Sequence, residues 1–249
     1  MALTDRYFIG QGKVYAGTRS CAGVVTNGLR YLGNCPELRI MHNVDYITHI
    51  ESSTGQRNKD LELPRTKEVT AQITIESWDL DNLTLLLFGT ASKVTGTTVT
   101  AESVRCPGKG SWVSLANINL TIFSNLGSLI KNTDYTVDLK AGMIYFTPDG
   151  GSTVDTEYPA SYTFGDSEKI IALNQNPQEY WLRFAGLNSV ENNTPVVIDA
   201  FRVKFRATNE LQLITQEVTP LSVEASILYS GQVDSPFYRI QQSQEVPCV

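Results

Sequence analysis

Two histidines, four cysteines and one strip of cations are the residues of this 249-residue chain whose types could carry chemistry. His42, Asp45 and His49 lie close enough in sequence to suggest a metal site. On an extended strand, however, Asp45 and His49 are roughly 13 Å apart and His42 faces the other side, so one ion could not hold all three. Cys21, Cys35, Cys106 and Cys248 show no CxxC spacing and no nearby histidine cluster, which argues against zinc and reads as free thiols. With two histidines and no serine, histidine and acid grouped locally, nucleophilic and general acid-base catalysis have little to stand on. A two-carboxylate glycosidase needs only a pair of acids and stays open as an enzymatic alternative. The residues predict no cofactor, no metal and no enzyme.

The cations gather in "FRVKFR", where Arg202, Lys204 and Arg206 alternate with Phe201, Val203 and Phe205. A polyanion could bind such a face, but affinity patches usually extend over several elements, so the phenylalanines are expected in the core with the cations solvated or paired. "GQGKVYAG" places Gly10, Gly12 and Gly17 in neither a dinucleotide nor a Walker pattern and reads as a flexible arm or turn. Trp78, Trp112 and Trp181 are candidate sugar-stacking platforms if the chain is a carbohydrate-binding or adhesion module, although Trp78 and Trp181 read as core.

Period-two alternation dominates the elements that must position these side chains. Val69, Ala71, Ile73 and Ile75 alternate with Thr70, Gln72, Thr74 and Glu76, and "AFRVKFRAT" and "LSVEASILYS" repeat the pattern. One helix is expected in "WDLDNLTLLLFG", with Asp79 or Asp81 as N-cap, Leu80, Leu83 and Leu87 at helical spacing, and Gly89 as a stop. The architecture predicted is mainly β: an antiparallel β-sandwich or partial barrel with one packed α-helix. Residues 91–165 are rich in Thr, Gly and Asn, with a hairpin signal at Lys140-Ala141-Gly142, and read as a small inserted β subdomain in a core of 1–90 and 166–249.

Composition bounds the partners. A hydrophobic content of 41% supports a sizeable core. The net charge of -6 argues against a protein that grips phosphates. Charged residues at 18% fall below the roughly 25% of an average domain, which suggests surface buried in an assembly. "MALTDRYFIG", with Asp5, has no signal-peptide core, and no stretch approaches the roughly 18 apolar residues of a membrane span, so a cytoplasmically made, soluble chain is expected.

Between "LRIMHNVDYITHI" and "VTAQITIESW" stands "ESSTGQRNKDLELPRTKE", residues Glu51 to Glu68, where a turn of two to five residues would have served. Its acids Glu51, Asp60, Glu62 and Glu68 balance Arg57, Lys59, Arg65 and Lys67, and Leu61 and Leu63 precede Pro64. Balanced charge around two apolar anchors suits an adhesive loop contacting another copy.

"DYITHIES", "STGQR" and the charged loop, followed by "VTAQITIES" and "DLDNLTLLLFG", resemble the core of the tail tube (major tail) proteins of long-tailed bacteriophages. "WVSLANINL", "TDYTVDLKAGMIYF" and "ASYTFG" resemble the extra β segment that some members carry. The resemblance implies a structural virion subunit, assembled in the host cytoplasm. Its hexameric rings would stack into a hollow tube, with other tail proteins at the ends and the inserted subdomain outside. It also implies that Glu51 to Glu68 reaches neighbouring subunits and that viral DNA passes through the lumen without specific binding. A conduit for DNA should repel it, so acids are expected on the inner strands, led by Asp45, Glu76 and Glu224, with Arg202, Lys204 and Arg206 turned outward or paired.

Overall fold

The computed structural model describes residues 7–20, 22–25, 27–53 and 55–243. Asp5, Cys21 and Cys248 lie outside the described residues. The chain opens with β1 (Gly10–Thr18), β2 (Arg30–Tyr31), β3 (Glu37–Ile50), β4 (Lys59–Ile75) and α1 (Leu80–Leu86). Then come β5 (Thr90–Val94), β6 (Thr98–Arg105), β7 (Trp112–Ser114), β8 (Leu120–Leu126), β9 (Tyr135–Asp138), β10 (Met143–Phe146), β11 (Glu157–Phe164) and β12 (Ser167–Ile171). It closes with β13 (Glu179–Asn188), β14 (Thr194–Phe205), β15 (Leu221–Ile227) and β16 (Arg239–Gln242). The fold is mainly β, its paired strands antiparallel, and no sheet closes into a barrel.

Contacts divide the described chain into two compact units, one within Met1–Thr90 and Ile171–Val249, the other Ala91–Ile170. The second unit therefore runs five residues past the expected limit of 165, because β12 pairs with β5 where the segment begins.

The first unit is an eight-stranded sheet in the order β2-β1-β13-β14-β15-β4-β3, with β16 on β14. Alternation builds its core: Val69, Ala71, Ile73 and Ile75 of β4 stand opposite Ile227, Ala225, Val223 and Leu221 of β15, all buried. Val203 and Phe205 continue the layer on β14, as expected, whereas Phe201, beside a register shift in the β13–β14 pairing, is only half-buried against Trp181 and Arg239. Gly10, Gly12 and Gly17 belong to strand β1 and form no loose arm. Gly12 pairs with Gly186 of β13, and a Cβ on Gly12 would stand 2.4 Å from Gly186 Cα, so two glycines permit a close strand approach covered by the Phe184 ring.

Asp79 caps α1, its carboxylate accepting from Asn82 N at 2.7 Å. The buried residues are Asn82, Leu85 and Leu86; of the three leucines expected at helical spacing, Leu83 packs half-buried against the core, while Leu80 and Leu87 are half-buried. Asn82 is fully buried because its Nδ2 donates to Leu32 O and Ser77 O, anchoring the helix to the chain before it. The residue in the left-handed region after the helix is Phe88, at φ +46°, and Gly89 instead donates its N–H to Thr84 O.

In the second unit, the sheets β7-β10-β9 and β6-β11-β8 share one core that includes Phe123, Tyr135, Ile144, Phe146 and Tyr162. The β9–β10 hairpin turns as the sequence predicts: Asp138 Oδ1 accepts from Lys140 N and Ala141 N, and Gly142 takes φ +65°.

Candidate functional site

The segment Glu51 to Glu68 is not a loop. β4 begins at Lys59 and pairs with β3 all the way out, so residues 51–58 alone turn the chain. Glu51 serves that turn: its N–H donates to Asn58 O, and its carboxylate accepts from Ser53 N and Ser53 Oγ. The strand persists because ladder hydrogen bonds satisfy the backbone better than eighteen unpaired residues would.

β15 pairs with β4 only from Val69 to Ile75. Beyond the His42–Val69 pair, Asn43–Ile50 and Lys59–Glu68 form a ribbon of two strands with no third strand on either edge among the described residues. Eight residues of β3 carry it about 26 Å. Pro64, which cannot donate a ladder hydrogen bond, is tolerated where no further strand pairs.

Two bulges shape this arm. Asp45 pairs with Thr66 but Tyr46 with Pro64, which leaves Arg65 extra, and His49 pairs with Leu61 but Ile50 with Lys59, which leaves Asp60 extra. One extra residue exchanges the faces of the bulged strand. Below Arg65 the odd residues of β4 lie on the core side, and from Val69 to Ile75 they are buried. Above it, Leu61 and Leu63 swing to the opposite face, in register with His49 and Ile47. Ile47, Leu61 and Leu63 thus form an apolar stripe, exposed by 54, 48 and 51%. Tyr46 and Ile50 are exposed on the reverse.

The arm's charges divide into paired and free. Lys59 Nζ lies 2.7 Å from Glu62 Oε2, and His49 Nδ1 lies 2.7 Å from Asp60 Oδ1. Glu68 accepts a long 3.4 Å bond from Asn43. Arg57, at φ +53°, Arg65 and Lys67 form no ion pair among the described residues. The His42, Asp45 and His49 trio does not converge: His42 Nε2 bonds Tyr238 Oη at 2.7 Å instead.

The register puts Asp45, Glu76 and Glu224 on the sheet face opposite the core, but not all as free acids. Glu224 pairs with Arg206 at 3.1 Å, and Glu76 accepts from Asn34 Nδ2 at 2.6 Å. The cations of "FRVKFR" share this face, since Lys204 stands opposite Ser226 and Arg206 N–H donates to Glu224 O. Arg202 forks onto Glu179 at 2.7 and 2.9 Å, and Arg19 joins at 3.1 Å. These hydrogen bonds, Arg202's first, hold the Glu179 carboxyl below the usual carboxylate range.

Asp199 is a residue that sequence reasoning missed. It is 1% exposed and lies in register between Arg183 of β13 and Arg239 of β16, 3.3 and 3.2 Å from their guanidinium nitrogens. Trp181 Nε1 donates to it at 3.1 Å, and the Trp181 ring stacks toward Phe201, so this tryptophan is no open platform. The only signal was an acid at a strand position, and its partners come from strands distant in sequence. Trp78 Nε1 is engaged by Thr219 O. Trp112 is 52% exposed beside its cross-strand partner Tyr145 in the second unit.

Cys35 and Cys106 are free thiols, and burial, with Glu76 nearby, pushes Cys35 up to about 11. Among the described residues no group of three or more His, Cys, Asp or Glu side chains is placed to hold a metal, and no helix is long and apolar enough to cross a membrane.

No curated protein matches the sequence. One family model does, described as "Protein of unknown function UCP028589", and it spans both compact units. With residues 7–241 matched, the chain belongs to this family of proteins of unknown function.

Proposed function

We propose that this protein is a structural, non-enzymatic subunit that polymerises with copies of itself through the β3–β4 arm. The observation that carries the reading is the outer half of that hairpin. It is a ribbon of two strands with apolar side chains half exposed on both faces, and such a ribbon is marginal alone in water. Covering the exposed parts of Tyr46, Ile47, Ile50, Leu61 and Leu63 contributes about 1 kcal/mol each. The sum only matches the cost of joining two free proteins, about 4–15 kcal/mol. One arm contact is therefore weak, and an assembly in which every copy gives and receives contacts is favoured.

The resemblance to phage tail tube proteins supports a particular geometry: hexameric rings stacked into a hollow tube through which viral DNA passes without specific binding, with other tail proteins at its ends. In this reading the charge on the open sheet face is mixed: Arg206 pairs with Glu224 and Arg202 with Glu179, Lys204 has no ion pair among the described residues, and Asp45 and Glu76 are the acids without an ion pair among the three expected in the lumen.

The test exploits the His42–Val69 pair. Replacing Asn43–Glu68 by an Asn-Gly turn should leave a folded monomer by circular dichroism and sedimentation. The full chain should give rings or tubes in electron microscopy. A strictly monomeric full chain refutes the reading, and assembly of the shortened one refutes the arm's role.

A carbohydrate-binding module is the second reading, favoured by the exposed Trp112–Tyr145 pair, whose ring centroids lie 5.0 Å apart. Quenching of tryptophan fluorescence by a soluble glycan, abolished in Trp112→Ala, would support it.

A further inference from the structure

The first unit presents a second unpartnered apolar feature. Residues 206–220 join β14 to β15 without helix or strand, a length at which loops usually serve a function. Both ends are tied down. Thr208 N–H donates to Leu86 O, Thr208 Oγ1 to Ser222 O, and Trp78 Nε1 to Thr219 O, while Leu211 packs against the core. Between these anchors the loop displays Leu213, Ile214 and Val218, exposed by 74, 92 and 72%. Burying such side chains is what an anchored loop would normally do, so their exposure calls for a partner.

The charges indicate which partner. Within 207–220 the ionisable side chains are Glu210 and Glu217, and neither forms an ion pair among the described residues. The arm shows the opposite arrangement, with the unpaired Arg57 at its turn and Arg65 at its bulge on either side of Leu61 and Leu63. One feature is apolar flanked by free acids; the other is apolar with free cations at its turn and bulge, the acids without an ion pair among the described residues, Asp45 and Glu68, lying nearer its base.

We propose that the 207–220 loop of one copy is the dock for the arm of the next, with Leu213, Ile214 and Val218 covering the Ile47–Leu61–Leu63 stripe and Glu210 and Glu217 meeting Arg57 and Arg65. This rests on the reading of the arm as an assembly contact and adds the surface that receives it. Because the two surfaces are unlike, the contact is heterologous and repeats from copy to copy, closing a ring or extending a filament. The apolar side chains supply affinity and the charges fix register.

Charge exchange on the full chain tests the dock. At low salt, Glu210→Arg with Glu217→Arg, or Arg57→Glu with Arg65→Glu, should each raise the concentration needed for assembly about three- to tenfold by light scattering. All four changes together should restore it to within about twofold of the parent. Circular dichroism melts check that each variant folds. Acid reversal without effect, or four changes that assemble no better than either pair, overturns the dock. If the arm-shortened protein is then still monomeric, the arm's role survives with a different receiving surface. A parent chain that never assembles overturns both.

Discussion

Ile47 and Leu63 stand directly opposite one another in the β3–β4 register, each about half exposed, because the Arg65 bulge turned Leu63 onto the face opposite the core where Ile47 already stands. About half of each side chain is left open to solvent. Changing Leu61 and Leu63 to Ser should therefore alter monomer stability by less than about 1 kcal/mol, as for other exposed positions. Assembly should fall sharply. Thermal melts and sedimentation at matched concentrations check the pair of outcomes, and a large fall in melting temperature without loss of assembly contradicts it.

The pairing of β5 with β12 predicts that the second unit can be removed. Joining Val94 to Ser167 through an Asn-Gly turn should convert the two strands into a hairpin and leave the first unit folded. Near-ultraviolet dichroism and a cooperative melt would confirm it. A molten product would mean that Ala91–Ile170 supports the larger sheet.

Asp199 pairs with two arginines from neighbouring strands. Asp199→Ala should destabilise the chain by about 2–3 kcal/mol, since it strands two guanidiniums that are themselves partly solvated. Urea denaturation measures the loss. A change under about 0.5 kcal/mol would show that solvent already satisfies both arginines.

Asn82→Leu should cost about 2–4 kcal/mol, because the Leu32 and Ser77 carbonyls lose their buried donor. Asn82→Asp, which also lacks the two donors, should be at least as damaging in the same denaturation experiment.

Asp134 carries a pH dependence. Its carboxylate accepts from Ile130 N at 2.7 Å and Gly151 N at 2.6 Å, bonds that lower it from the ordinary value of 3.8. A carboxyl depressed in the folded state contributes stability that is full above the unfolded value and lost as pH falls through the folded one. Melting temperature should therefore drop as pH is lowered below about 4. Asp134→Asn should be less stable at neutral pH and show a flatter acid limb. An unchanged acid limb would place the sensitivity in other carboxylates.

Local pattern was enough for the strands, the single helix with its Asp79 cap, the β9–β10 turn and the mainly β class, because alternation, capping and turn chemistry act between residues a few positions apart. It also marked Glu51 to Glu68 as unusual, through the excess of charge and the leucines ahead of Pro64. What it could not supply was register. A single extra residue at Arg65 decides on which face of the arm Leu61 and Leu63 stand, and that residue shows only against the partner strand β3. Partners distant in sequence were equally hidden: Arg206 with Glu224, Arg202 with Glu179, and Asp199 between Arg183 and Arg239. Side-chain types and periodicity thus determined which elements form, while the tertiary pairing of strands decided which charges are neutralised and which apolar side chains remain uncovered, since both depend on neighbours that the linear order does not bring together.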